Sequence, residues 1–313
     1  MRPRILSLSL LAIVPLAAAE PDLLAVYGQF RKANIDPNRV ATAENLVLKK
    51  DGGTFQFNNG TLYALEPVLD QVAGVVFVGD GVFSFEPSDP VERAHLARFA
   101  NNPRLEEPFK EAVLFFADST FADLSAGAKF RPGTADPKAA GVLNDARKTF
   151  RDSLRTNVEA RVLAGLTSPK QSVFLAAIHG QKHGNLLFAV DPMNGEAVSL
   201  VHHNLPHVYD VWSSYNPQGS PAAAQRALVH TARIDLTTEV DRKGKMEANA
   251  ASEFTALTDG PRLLLVQLAP SLRVSKVAAS DGSALPYIQE AKDKDADLWV
   301  LLPKSLERGA KYS

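Results

Sequence analysis

Between residues 46 and 85 the chain is a series of short apolar runs broken by turn residues, and no other stretch constrains the fold as much. "TFQF" at 54–57 and "VFSF" at 82–85 put every second side chain on one face, the period of a strand and not of a helix. Asp51-Gly52-Gly53, Asn59-Gly60 and Asp80-Gly81 separate the runs with the residues that tight hairpin turns favour. The expected product is an antiparallel sheet.

Downstream, Asp89-Pro90-Val91-Glu92 opens a helix that carries Leu96 and Phe99. Residues 112–116 read as a further buried strand, and a short helical piece follows near Phe121. Val142, Ala146, Phe150, Leu154, Val158, Val162 and Leu166 recur at every fourth position, which predicts one helix over 139–166 ending before Pro169. Arg147, Arg151, Asp152 and Arg155 fall largely outside that stripe. "SVFLAAIHG", "NLLFAVD" and "EAVSLVHH" then form a three-stranded meander, with a turn at Pro192-Met193-Asn194-Gly195.

Pro217, Gly219 and Pro221 crowd residues 213–224 and mark a domain boundary. Beyond it Ala232, Ile234, Leu236 and Val240 share one strand face, while Arg233, Asp235 and Glu239 take the other. "KMEANAASEFTAL", "RLLLVQL", "LRVSKVAA", "LPYIQE" and "DLWVLLP" bring the expected strands to six. The fold class is α+β with β dominant: a mixed leading domain over 20–222, made of antiparallel meanders and a few helices, followed by an antiparallel β-sandwich or saddle over 223–313.

The first residues are a leader and not part of this fold. Arg2 and Arg4 precede an apolar run at 5–16 and then Ala17-Ala18-Ala19, the order of a signal peptide cleaved after Ala19. An apolar run of 12 residues is too short to cross a bilayer, which needs roughly 20. The chain is therefore expected to be exported, to the periplasm or beyond, with no membrane span. It has no cysteine, which removes disulfides and thiolate metal sites from consideration. Without the leader, 32 basic residues face 35 acidic ones, a balance that does not point to nucleic acid or an anionic membrane as partner.

His179 and His183 have the four-residue spacing that lets two imidazoles on one helix face hold zinc. Their flanks are strand-like, and Gly180 stands where a zinc hydrolase would carry its glutamate, so the pair is read as a polar hairpin tip. His202, His203 and His207, with Asp210 close by, form a second cluster, but adjacent strand residues point to opposite faces. Asp293, Asp295 and Asp297 imitate the start of a calcium loop, with Leu298 and Lys304 at positions that demand glycine and glutamate. Asp80, Glu86, Asp89 and Glu92 could supply a carboxylate pair, as neighbours do in any acid-rich chain. Gly79-Asp80-Gly81 lacks the remainder of a dinucleotide motif, and no G-x-S-x-G occurs. No residue is assigned to catalysis, to a cofactor or to a metal.

From residue 225 onward the chain resembles the N-terminal β domain of the aminopeptidase N-like family of zinc metallopeptidases. The resemblance lies in the "L-x-P-x-L-x-V-x-x-V" run at 268–277, the "G-x-x-L" at 282–285 and the "L-P-x-x-L-x-x-G" at 302–309. The upstream stretch around 60–99 and "YDVWSS" at 209–214 is similar to the extra leading domain of secreted bacterial members. In that family the zinc ligands, H-E-x-x-H and a later glutamate, lie on a helical domain after this one, and neither motif occurs here. "GKMEAN" at 244–249 resembles the substrate-binding G-x-M-E-N, but Ala248 interrupts it.

The resemblance implies a non-catalytic scaffold that also supplies one wall of a peptide channel in a longer exported protein. That parent would cut the first peptide bond with a metal-activated water, so zinc is expected there and not in this chain. Lys311-Tyr312-Ser313 reads as the start of a further strand of that sandwich. The alternative expectation, from another class, is a self-contained extracytoplasmic module that binds a protein or glycan partner. A hydrolase built on the cluster from His202 to Asp210 is a third.

Overall fold

The computed structural model describes residues 20–153, 156–205, 208–221, 223–269, 271–291 and 297–313. Helix α1 (Leu23–Lys32) leads into three long strands, β1 (Ile35–Lys50), β2 (Gly53–Leu65) and β3 (Gly74–Phe85). Then come α2 (Pro90–Ala100), β4 (Leu105–Phe116), α3 (Thr120–Gly127), α4 (Pro137–Ser153) and α5 (Val158–Thr167). The meander resumes as β5 (Phe174–Gly180), β6 (Asn185–Val190), β7 (Val198–Leu205) and β8 (Val208–Tyr215). A short helix α6 (Ala223–Arg226) precedes β9 (Val229–Val240), β10 (Met246–Ala256), β11 (Leu263–Gln267), β12 (Tyr287–Ile288), β13 (Asp297–Leu301) and β14 (Lys311–Tyr312).

Strands β1 to β8 pair in chain order as one antiparallel sheet. The alternation seen at 54–57 and 82–85 delivers a phenylalanine-rich face, with Phe55, Phe57, Phe77, Phe83, Phe109 and Phe188 all buried. This sheet cannot be flat. Phe55 on β2 and Phe174 on β5 have ring centroids 5.8 Å apart, whereas strands three places apart in a flat sheet lie about 14 Å from each other. The sheet curls around its aromatic face, and Leu96 of α2 and Leu124 of α3 pack into the same core. The rings leave no room beside the backbone at Gly81, where a Cβ would stand 2.4 Å from the Phe109 ring.

The outer face is covered by helices. Val76, Val113, Leu175 and Leu187 of the sheet pack with Phe30 of α1, Leu143, Ala146 and Phe150 of α4, and Val158 and Val162 of α5. The single helix expected over 139–166 is therefore two. The second begins after Asn157, whose Oδ1 accepts from Ala160 N at 3.0 Å and caps α5. The four-residue recurrence survives the break because both helices face the same sheet; Leu154 lies outside the described residues.

The C-terminal strands form two small sheets, β11-β13-β12 and β14-β10-β9. Alternation along β13 divides its side chains between two cores. Trp299 and Leu301 join Leu263 against Leu23 and Tyr27 of α1 and Leu163 of α5. Leu298, Val300 and Leu264 face the other way, towards Leu228 and Ala256. Two expectations change here. Residues 272–279 form no strand, their sheet-like contact being the isolated bridge from Ala278 to Ala284. The apolar face of β9 is bare, with Ile234, Leu236 and Val240 each more than 60% exposed.

Candidate functional site

The turn between β5 and β6 brings together two of the histidines singled out in the sequence and one acid that was not. His179, exposed near the end of β5, faces Asn185, with Nδ1 2.9 Å from Oδ1. His183 lies in the turn, and its Nδ1–H donates to Glu107 Oε2 at 2.5 Å. Glu107, on β4, is fully buried. Its other oxygen accepts from the backbone amides of Lys182 at 2.6 Å and His183 at 3.2 Å, so the carboxylate holds the turn from beneath. Gly180 is glycine for this reason: a Cβ there would meet Glu107 Oε1 at 2.5 Å.

Trp212 of β8 ties this turn to its neighbours. The His183 ring stands edge-on to it at 5.3 Å, and His202 of β7 stacks on it at 4.7 Å. His202 also donates from Nε2 to the His183 carbonyl at 2.7 Å, while its Nδ1 stays 4.0 Å from Asp210 Oδ2. On the far side Trp212 stacks with Phe99 of α2 at 5.5 Å, and Glu92 of α2 accepts from Ser214 N at 2.8 Å. His203 points to the opposite face from His202 and is buried; His207 lies outside the described residues.

Chemically this is a supported hairpin and a helix dock. A carboxylate that accepts two amides and an imidazole has three of its roughly four acceptor sites occupied, which suits holding a turn. Among the described residues no three histidine, aspartate or glutamate side chains converge to hold a metal ion. His179 and His183 thus have different partners, Asn185 and Glu107, and among the described residues no third ligand joins His202 and Asp210.

The remaining candidate acids have local roles. Asp80 pairs with Lys110 on the surface. Asp89 caps α2, accepting from Val91 N at 2.7 Å and Glu92 N at 3.3 Å. Glu86 is exposed, and Glu92 is the link to β8. Asp293 and Asp295 lie outside the described residues, and Asp297 begins β13, where burial pushes its carboxyl up to about 6. Gly244 and Met246 of "GKMEAN" occupy the tip and first residue of the exposed β9–β10 arm, with Gly244 at φ 78° in a left-handed turn.

One charged constellation was not anticipated. A cavity of about 370 Å³ opens between α1, α4, the start of α5 and Glu290. Arg31 pairs with Glu290 at 2.8 Å, and Arg147 with Glu159 at 2.9 Å. The Tyr27 hydroxyl donates to Glu290 Oε1 at 2.9 Å, and Asn157 Nδ2 reaches both the tyrosine oxygen at 2.8 Å and Glu290 at 3.2 Å. Burial holds the Glu159 carboxyl above its usual range and the Arg147 guanidinium below its own, the pairing of the two opposing both effects. Tyr27 is likewise raised by burial, which keeps its hydroxyl a donor.

Glu107 and the cavity could have been noticed in different degrees. Glu107 alternates with Leu105 and Phe109, a charge at an apolar position of a period-two pattern. The cavity draws on residues from 31 to 290, and only its α4 arginines show in the sequence, as residues off the apolar stripe. No protein family matches the chain, and no curated protein or solved structure matches it either.

Proposed function

We propose that this chain is a non-catalytic framework, the N-terminal region of an exported zinc aminopeptidase-like protein, contributing scaffold and one wall of its substrate channel. The resemblance of residues 225–313 to that family's β domain motivates the assignment. Export follows from the leader at 1–19.

The observation that carries the framework role is the β9–β10 arm. Its two strands pair from Val240 with Met246 to Ile234 with Ser252, and the residues on one face are Ile234, Leu236, Val240 and Met246, all exposed. A two-stranded ribbon is marginal in water unless its apolar face packs on something. An arm of this kind is suited to receiving another layer of protein, which is what a scaffold offers to the domain it carries.

Reading the coding frame past Ser313 tests the proposal. A continuation with H-E-x-x-H and a later glutamate, together with an inert 313-residue chain and an active longer one on an amino-acid anilide, is the expected result. A stop codon directly after Ser313 would overturn it in favour of a self-contained binding module. Anilide turnover with stoichiometric zinc by the 313-residue chain would overturn it in favour of an independent hydrolase.

A further inference from the structure

The cavity beside α4 has a lining of both signs. On α4, Arg151 lies three and four residues after Lys148 and Arg147, on their side of the helix, and Arg31 joins them from α1. Against these four cations stand Asp145, Glu159 and Glu290. The inner charges are already matched, Arg147 with Glu159 and Arg31 with Glu290, and Glu290 Oε1 also accepts from Tyr27 and Asn157. At the mouth the matching stops. Among the described residues Lys148 and Asp145 make no ion pair, and Arg151 has only its sequence neighbour Asp152 at 3.4 Å.

We propose that this cavity binds a small zwitterion, an α-amino acid or dipeptide, with its carboxylate on Lys148 and Arg151 and its ammonium on Asp145, the lining carboxylate without an ion pair among the described residues. A multiply charged anion would face three carboxylates, and a polycation would face four cations. A ligand with one charge of each sign avoids both conflicts. Guanidinium offers the carboxylate a forked pair of donors, and Lys148 adds a point charge beside it. A volume of about 370 Å³ is that of a small-molecule site. The Arg31–Glu290 pair, fixed by Tyr27 and Asn157, and Arg147, which also donates to the Phe30 carbonyl at 3.2 Å, hold the wall in place before the ligand arrives. This inference stands apart from the peptidase reading, since it needs no residue outside this chain.

Calorimetric titration of the purified chain with alanyl-alanine tests it, with N-acetyl-alanyl-alanine, alanyl-alaninamide and inorganic phosphate as controls. The expected result is saturation with Kd below about 1 mM, and at least about tenfold weaker binding when either terminal charge is blocked. Lys148→Ala with Arg151→Ala should weaken dipeptide binding at least about tenfold while the circular dichroism stays unchanged, since alanine suits a helix surface. Lys148→Glu provides a second, single-site variant and should lose binding as well. Equal binding of the dipeptide and its acetylated form, preferential binding of phosphate, absence of saturation at about 10 mM dipeptide, or unaltered affinity in both variants would each overturn the proposal.

Discussion

Tyr215, the last residue of β8, donates its hydroxyl at 2.6 Å to Asp51, which lies in the turn between β1 and β2. Strands seven places apart in a flat sheet would be separated by about 34 Å, so this bond ties together what the curl of the sheet has brought near. Burial, then the bond to Asp51, raises the Tyr215 hydroxyl above its ordinary range and keeps it protonated as a donor. Tyr215→Phe should cost about 1–2 kcal/mol, read as a lower urea midpoint at unchanged slope. Gly52→Ala should cost more, about 2–3 kcal/mol, because its Cβ would meet the Tyr215 oxygen at 2.6 Å and the Glu86 carbonyl at 2.7 Å. A neutral Gly52→Ala would show that the two sheet edges are not held together in solution.

Arg161 of α5 and Asp191 after β6 form a buried pair, both side chains 5% exposed. Arg161 Nε donates to Asp191 Oδ2 at 2.7 Å, Nη2 donates to Oδ1, and Nη1 donates to the Gln171 carbonyl at 2.9 Å. Gln171 in turn donates to the Leu263 carbonyl at 3.1 Å, which links the helical layer to β11. Removing one charge strands the other in a poor dielectric. Arg161→Leu or Asp191→Leu alone should therefore cost about 3–5 kcal/mol, and the double variant less than the sum of the two. Additive losses in a double-mutant cycle would contradict the pairing.

Asp297 gives a pH signature. Burial raises its folded carboxyl to about 6, above the ordinary unfolded value near 4. Between those values the folded state binds more proton than the unfolded state, so stability falls as pH rises from about 4 to about 6 and is flat beyond. The residue is only partly buried, and solvent screening limits the effect to about 1 kcal/mol. Asp297→Asn should remove this slope and stabilise the chain slightly at pH 7. Thermal unfolding across that interval, wild type against variant, distinguishes a buried carboxyl from one that titrates freely.

The hairpins were legible because their signals are local: a period of two and turn residues within a few positions of each other. The curl was not, because it comes from rings such as Phe55 and Phe188, on strands far apart in the chain, competing for one interior. Helix α1 escaped notice beside the leader, although Asp22 before Leu23, Tyr27 and Phe30 is a capped helical pattern; Asp22 Oδ1 accepts from Leu24 N at 3.0 Å. Of the charged cavity only the arginines of α4 stood out, as residues off the apolar stripe. Arg31, Glu159 and Glu290 meet them only after the helices dock.

The bare arm yields the last prediction. Ile234 and Leu236 lie on β9 with 62% and 66% exposure, opposite Ser252 and Ala250 on β10, and both fall on the apolar face. Side chains that solvent already surrounds contribute little to folding, so Ile234→Thr with Leu236→Thr should change stability by no more than about 0.5 kcal/mol. Threonine keeps the strand propensity while thinning the apolar patch. Self-association of the isolated chain, followed by light scattering against concentration, should decrease, because unpaired edges and exposed apolar faces drive sheet proteins together. A loss of several kcal/mol would mean that the arm folds back onto the body of the protein in solution, and the framework reading would lose the face on which it rests.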